Sequence, residues 1–249
     1  MELGLEGKRA AVAAASAGLG FAAARSLAAN GVRVAICGRD RDRVDAAAAR
    51  LGEGAVPIVA DVGTAAGATA FVVTAIEALG GVDILVTNAG GPPPGTFAST
   101  PVDAYTRAVD LNLLSIVAMC QAAVPAMQER GWGRVVAITS LSVRQPIPNL
   151  VLSNTARAGA TGFLKTLALE VAGDGVTVNS VQPGAHATER LLGLYGTAPP
   201  DPATVGTPAS GIGDPADFGE VVAFLCSQQA RFITGVSLQV DGGAYRGLL

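Results

Sequence analysis

Arg9-Ala10-Ala11-Val12-Ala13-Ala14-Ala15-Ser16-Ala17-Gly18-Leu19-Gly20 is an apolar run of strand length that ends in small residues and opens into an Ala-rich stretch. The run predicts a strand over Arg9–Ala14 and a helix over Leu19–Asn30. A turn of this kind, built from residues with little or no side chain, lets backbone N–H groups approach a pyrophosphate at a helix N-terminus. Ala14, Ser16, Gly18, Leu19 and Gly20 are therefore candidate cofactor contacts. Taken alone, a glycine motif this degenerate fits a plain strand–helix turn equally well.

Working outward, apolar runs continue to alternate with helical patterns. Further strands are expected at Val32–Cys37, Val56–Ala60, Ile84–Thr87, Arg134–Thr139, Thr177–Val181 and Ser237–Val240. Helices are expected at Arg41–Leu51, Ala65–Leu79, Val102–Gln128 and Val151–Ala172. This order predicts an α/β fold of Rossmann type: a doubly wound, seven-stranded parallel sheet with helices on both faces and a ligand crevice at the strand carboxyl ends. The 249 residues are half hydrophobic and only 15% charged, which suits one domain over 1–249 with a large core. A net charge of −3 with scattered Lys and Arg argues against a nucleic-acid partner. Cys37, Cys120 and Cys226 lie far apart among apolar residues, as core thiols of a reducing compartment do. The opening Met1–Lys8 has no signal-peptide pattern. The apolar run Leu111–Met127 is interrupted by Asn112, Gln121 and Pro125 and reads as a core helix. A cytoplasmic location without membrane partners is expected.

Residues 185–214, rich in Gly, Pro, Thr and Ala, make a long connection directly after a strand end. Such a segment is either a functional lid or a partly disordered loop, and its position favours the lid. Its apolar, small-residue composition hints at a small-molecule substrate that is uncharged or hydrophobic.

The chain resembles the short-chain dehydrogenase/reductase family over essentially its whole length, in order and at family spacing. The family's Thr-Gly-x-x-x-Gly-x-Gly is matched at Gly18 and Gly20, with Ala14 at the first glycine. Asp61-Val62 resembles the adenine-contacting pair, and Asn88-Ala89-Gly90 the segment that braces the central strand and lines the cofactor. Pro183-Gly184 with Thr188 matches the motif whose threonine holds the nicotinamide carboxamide; Ile233-Thr234-Gly235 and Asp241-Gly242-Gly243 match the C-terminal signature. The resemblance implies a nicotinamide cofactor and usually a homotetramer paired through the two long helices. Where an acidic residue would accept from a ribose 2′-hydroxyl stands Gly38, followed by Arg39, which favours NADP(H) over NAD(H).

The family acts through an Asn, a Ser, a Tyr and a Lys. Asn112 and Ser140 fit the first two, but Ser153 and Arg157 occupy the places of the Tyr-x-x-x-Lys pair. A serine hydroxyl is a far weaker acid than a phenol, and an arginine stays protonated. Arg157, one helical turn after Ser153, retains the capacity to bind the nicotinamide ribose hydroxyls. Candidates for the proton donor are His186, Tyr195 and a water between Ser140 and Ser153; Tyr105 and Tyr245 have less positional support, and Lys165 aligns with a surface lysine. Three readings remain open. One is an oxidoreductase with an altered site, resembling 3-oxoacyl-[acyl-carrier-protein] reductases. The others are a dehydratase, isomerase or cyclase on the same scaffold, and a catalytically silent subunit. No metal site is expected.

Overall fold

The computed structural model of the chain describes residues 2–196, 200–209 and 211–248. In chain order its elements are β1 (Arg9–Val12), α1 (Gly18–Ala29), β2 (Arg33–Gly38), α2 (Arg41–Leu51), β3 (Val56–Val59), α3 (Ala65–Leu79), β4 (Ile84–Thr87), α4 (Val102–Val109), α5 (Ser115–Glu129), β5 (Gly133–Ile138), α6 (Val151–Val171), β6 (Val176–Pro183), α7 (Glu189–Tyr195), α8 (Pro215–Cys226) and β7 (Ser237–Val240). The strands form one parallel sheet in the order β3-β2-β1-β4-β5-β6-β7. The order reverses between β1 and β4, and in such sheets the ligand crevice opens at that switch point.

Two-residue alternation along each strand divides the core between two helical layers. Ala11, Val135 and Ala137 face Phe71 of α3, Met119 of α5 and Leu164 of α6. Val12, Val136 and Ile138 face Phe21 and Leu27 of α1, Val44 of α2 and Phe218 of α8. Pro57 is tolerated because β3 is an edge strand and needs no amide donor on its outer side. Asp40, Thr64 and Asp214 cap α2, α3 and α8 by accepting from Arg43, Gly67 and Ala216 backbone N–H groups at 2.9, 3.1 and 2.8 Å.

The expected strands and helices are all present, with ends shifted by one or two residues; β1 stops at Val12 because the turn begins there. Two expectations need correction. The helix expected over Val102–Gln128 is split by a π-helical turn, Asp110–Leu114, that inserts one extra residue at Asn112. The stretch 185–214 is not all loop, since α7 lies within it. Of that segment, Thr197, Ala198, Pro199 and Ser210 lie outside the described residues. The span Val102–Glu129 is long and apolar enough to cross a membrane, yet half of its most apolar window is buried within the fold. Helix α8 was not among the expected helices, although Asp214-Pro215, an N-cap followed by a first-turn proline, marks its start.

At the amino end of the sheet Asp83 accepts from Arg9 Nε at 2.8 Å, Arg9 Nη2 at 2.7 Å and the Arg9 backbone N–H at 3.1 Å, with Arg130 Nε 3.5 Å away. Burial pushes the carboxyl upward, but the bonds and charges of Arg9 and Arg130 outweigh it and hold Asp83 below the ordinary range. With the folded value below an unfolded value of about 3.9, this stabilisation is complete above that pH and is lost as pH falls through the folded value. Asp83→Asn is expected to cost about 1–3 kcal/mol at pH 7 and to make stability less sensitive to acid. Urea unfolding at pH 7 and pH 3.5 measures this; an equal loss at both would show that the ion pair is not the cause.

Candidate active site

The cleft begins at the turn after β1. Ala14 adopts φ +46°, the left-handed region that a glycine would enter freely. Its N–H donates to Cys37 Sγ at 3.3 Å, and its carbonyl accepts from Asn88 Nδ2 at 3.2 Å. Gly20 packs on the same carbonyl: a β-carbon there would lie 2.7 Å from the Ala14 oxygen and 2.8 Å from Asn88 Nδ2. Helix α1 starts at Gly18 with Ala17 at its N-cap and no side chain capping it, and its first turn holds no acidic residue. The orphan N–H groups around Gly18 and Leu19 are thus available to an anion. Ser16 abuts Gly38, whose absent β-carbon would lie 3.1 Å from the serine hydroxyl. Arg39 follows at the end of β2, exposed.

The neighbouring strand ends contribute as their motifs require. Asp61 accepts from the Gly63 N–H at 2.9 Å, and Val62 is buried beneath it. Ala89 packs on the core after β4, and the Gly90 carbonyl accepts from Asn112 Nδ2 at 3.1 Å. Pro183 ends β6; the Gly184 N–H donates to Val240, and a β-carbon at Gly184 would meet Asp241 at 2.7 Å. Thr188 caps α7, and its methyl lies 3.8 Å from where a Gly18 β-carbon would stand. The segment leaving β6 therefore meets the start of α1 across the cleft.

Ser140 leaves β5, and its Oγ accepts from the Ser142 N–H at 3.1 Å, so its own proton is left to donate. Asn112 is 1% exposed in the π turn. Ser153 and Arg157 share the buried face of α6 at 8% and 7% exposure, and Arg157 Nη1 donates to the Ile138 carbonyl at 3.1 Å. Burial, and then repulsion from Arg190, lowers the Arg157 guanidinium from 12.5 to about 10, so it remains a cation at neutral pH. Asn112, Ser140 and Arg157 thus gather where β4 and β5 end, with Ser153 one helical turn before Arg157.

His186 does not join them. Its ring is 6% exposed, edge-on to Phe218 with centroids 5.2 Å apart and against Gly213, and Nδ1 donates to the Gly184 carbonyl at 3.2 Å. Burial holds its pKa below the ordinary value despite the Gly184 bond and the charges of Asp214, Asp217 and Asp241. The ring expected as a candidate proton donor is thus packed against α8. Tyr105 sits in a small cluster with Ala108, Leu152 and Ala156; Tyr195 is 48% exposed; the Tyr245 ring lies under Arg144. Lys165 is spent on the Gly235 carbonyl. The three cysteines are free and buried, and burial pushes each thiol up to about 12, so none is a nucleophile. No group of three or more potential metal ligands occurs among the described residues.

Two residues of this region escaped the sequence reading. Arg190 Nη2 donates to the Pro92 carbonyl at 3.1 Å, and its guanidinium rests on Gly91, where a β-carbon would lie 2.8 Å from Nη2. Glu189 reaches across to Arg43 Nη2 at 3.0 Å. Nothing in the periodicity of 185–214 marks Glu189 or Arg190; only their adjacency to Thr188 hinted at them.

A switch-point cleft lined by a glycine-poor but tightly packed phosphate turn defines a dinucleotide-binding oxidoreductase fold. The family model for enoyl-(acyl carrier protein) reductase matches residues 13–245. Dehydrogenase/reductase SDR family member 4 of Bos taurus is 36% identical over 245 residues, 96% of this chain and 88% of that one. The 3-oxoacyl-[acyl-carrier-protein] reductase FabG of Vibrio cholerae is 33% identical over 98% of this chain and 99% of its own. L-sorbose reductase from Gluconobacter frateurii, solved with NADPH and L-sorbose, superimposes with a TM-score of 0.93 at 28% identity over the whole of both chains. The chain belongs to the short-chain dehydrogenase/reductase family.

Ala14→Gly should remove the left-handed strain of the turn and raise stability by up to about 1 kcal/mol, net of glycine's greater unfolded-state freedom. Thermal unfolding reads this directly. Destabilisation would mean that the methyl packs favourably enough to outweigh its strain.

Proposed function

We propose that this protein is an NADP(H)-dependent oxidoreductase that interconverts a ketone and an alcohol, with Ser153 and Arg157 in the places of the family's Tyr and Lys. The chain has no Tyr-x-x-x-Lys: positions four after Tyr105, Tyr195 and Tyr245 are Val109, Pro199 and Leu249. The observation that carries the reading is the persistence of the whole cleft around this change. Ala14, Gly18, Gly20, Asn88 and Thr188 still interlock, and a buried cation is bonded to the Ile138 carbonyl, two residues before Ser140.

The uncapped start of α1 and the small turn before it suit a pyrophosphate, and Arg39, beside a Gly38 with no carboxylate, suits a 2′-phosphate. When bound, a reduced nicotinamide supplies a hydride to a carbonyl carbon. Ser140 donates its free proton in a hydrogen bond to the carbonyl oxygen, because its acceptor side is already taken by Ser142. Arg157 supplies fixed positive charge as that oxygen becomes negative; a preorganised donor in a site shielded from water is worth about 10²–10³ in rate. The buried Ser153 hydroxyl would hold a water that passes one proton to the oxygen and takes one back from bulk solvent. Asn112 ties the π turn to the exit of β4 and keeps the floor of the cleft in register. Exposed Val102, Leu114 and Leu169 on α4 to α6 suit the pairing of copies into a homotetramer.

Calorimetric titration of the purified protein tests the cofactor reading. NADPH is expected to bind about tenfold or more tightly than NADH, and Arg39→Ala should remove most of that preference while leaving NADH unchanged. Binding of neither nucleotide would end the redox assignment. With a ketone that is turned over, Ser140→Ala should lower kcat by about 10²–10³. The pH profile of reduction should fall only as pH rises through about 10, where Arg157 loses its proton. A limb between pH 6 and 8 would point instead to an imidazole.

A further inference from the structure

Among the described residues two buried arginines, Arg134 and Arg157, have no carboxylate partner. Arg134, 2% exposed, donates from Nη1 to the Gly133 and Gly175 carbonyls at 2.8 and 3.3 Å and stacks on Trp132 at 4.4 Å from the ring centroid, while its Nε is buried without a partner. Arg157, 7% exposed, has the single bond to Ile138, and among the described residues it has neither an ion pair nor a ring. Its other donors make no hydrogen bond among the described residues. A buried charge in that state is costly unless a ligand compensates it.

A second cation is aimed at the same place. The Arg190 guanidinium lies on Gly91 and is anchored to Pro92, in the segment leaving β4. Arg157 is anchored to Ile138 at the end of β5, and β4 and β5 are paired neighbours. The two charges are close enough for Arg190 to depress the Arg157 pKa. A neutral ligand satisfies donors but leaves two like charges facing each other, whereas a carboxylate satisfies both and matches guanidinium geometry. The nucleotide phosphates have other places, at the start of α1 and at Arg39.

We infer that Arg157 and Arg190 form an anchor for the carboxylate of the substrate, an oxo acid in one direction and a hydroxy acid in the other. This deepens the oxidoreductase reading and rests on it. It reverses the uncharged substrate suggested by the composition of 185–214, because Arg190 belongs to that segment. Gly91 takes part by having no side chain: any β-carbon would push the Arg190 head away.

The test uses protein saturated with NADP⁺, so that ketones bind without turnover. Calorimetry compares 2-oxobutanoate, acetoacetate and 4-oxopentanoate, each with its methyl ester. At least one acid is expected to bind about tenfold more tightly than its ester. Arg157→Gln and Arg190→Gln should each abolish that preference; Gly91→Ala, which displaces the Arg190 head but keeps its charge, should weaken it, and Arg157→Lys should keep part of it. Thermal melts guard against misfolded variants. A binding acid should raise the wild-type midpoint by about 2–4 °C and leave that of Arg157→Gln unmoved. The inference is overturned if no acid is preferred over its ester, or if the glutamine variants keep the preference or the melting shift. It is also overturned if Arg157→Gln weakens only NADP⁺ binding, because the guanidinium then serves the cofactor. Should NADP⁺ not bind wild type at all, the oxidoreductase reading fails separately. The same titrations on the free protein then decide the anchor, with acid preference supporting it and its absence ending it.

Discussion

The carbonyl of Ala14 is where the layers of this molecule are locked together. It accepts the Asn88 amide from the end of β4 while the backbone of Gly20 presses on it from the first turn of α1. Three elements can share one oxygen only if one contributes a side-chain donor and another contributes no side chain. The position of α1 follows from that contact, and with it the direction in which its orphan N–H groups point. Because the sheet is parallel and buried on both faces, each later strand end is then carried to the same edge. The cleft is in this sense a by-product of close packing at one turn. The left-handed strain at Ala14 is tolerated there because neighbours on three sides determine its conformation.

The opposite wall is built by the chain leaving β6. Gly184 fits only without a β-carbon against Asp241, Thr188 touches the start of α1, and Arg190 crosses to the segment after β4. Buried His186, wedged between Gly213 and Phe218, fixes the angle at which this segment departs. Burial disfavours the charged form of His186 and holds its pKa below the ordinary value, against the charges of Asp214, Asp217 and Asp241.

Ser153 and Arg157, proposed to stand in the places of the family's Tyr and Lys, leave the frame of the cleft intact. Both positions lie on the buried face of α6, beside Leu152, Ala156 and Ala160. Arg157 is tied to β5 through the Ile138 carbonyl and remains a cation at neutral pH. It also creates a requirement for negative charge that the chain does not meet from its own residues. Ordinary core economy would remove such a group, as stability is often higher when a buried charge is replaced by an apolar side chain.

Much of the architecture was legible in the sequence, because strand period, helix period and turn residues are local properties of neighbouring positions. Strands β4 and β7 and helices α2 and α3 coincide with their expected bounds, and the small residues from Ala14 to Gly20 mark the turn that sets the fold. What could not be read was decided by contacts between distant segments. The π turn at Asn112 interrupts a run whose local composition favours an unbroken helix, and its buried amide bonds to Gly90, twenty-two residues away. The sequence placed His186 in a catalytic motif, while the face its ring presents depended on Phe218 in a later helix. Arg190 carried no signal in a loop of mixed composition until Gly91 and Pro92 received it. By itself the sequence determined the layers, the edge at which ligands bind and the identity of the residues available there. Tertiary structure alone decided which of them meet, because burial and charge proximity are properties of the folded packing and not of order along the chain.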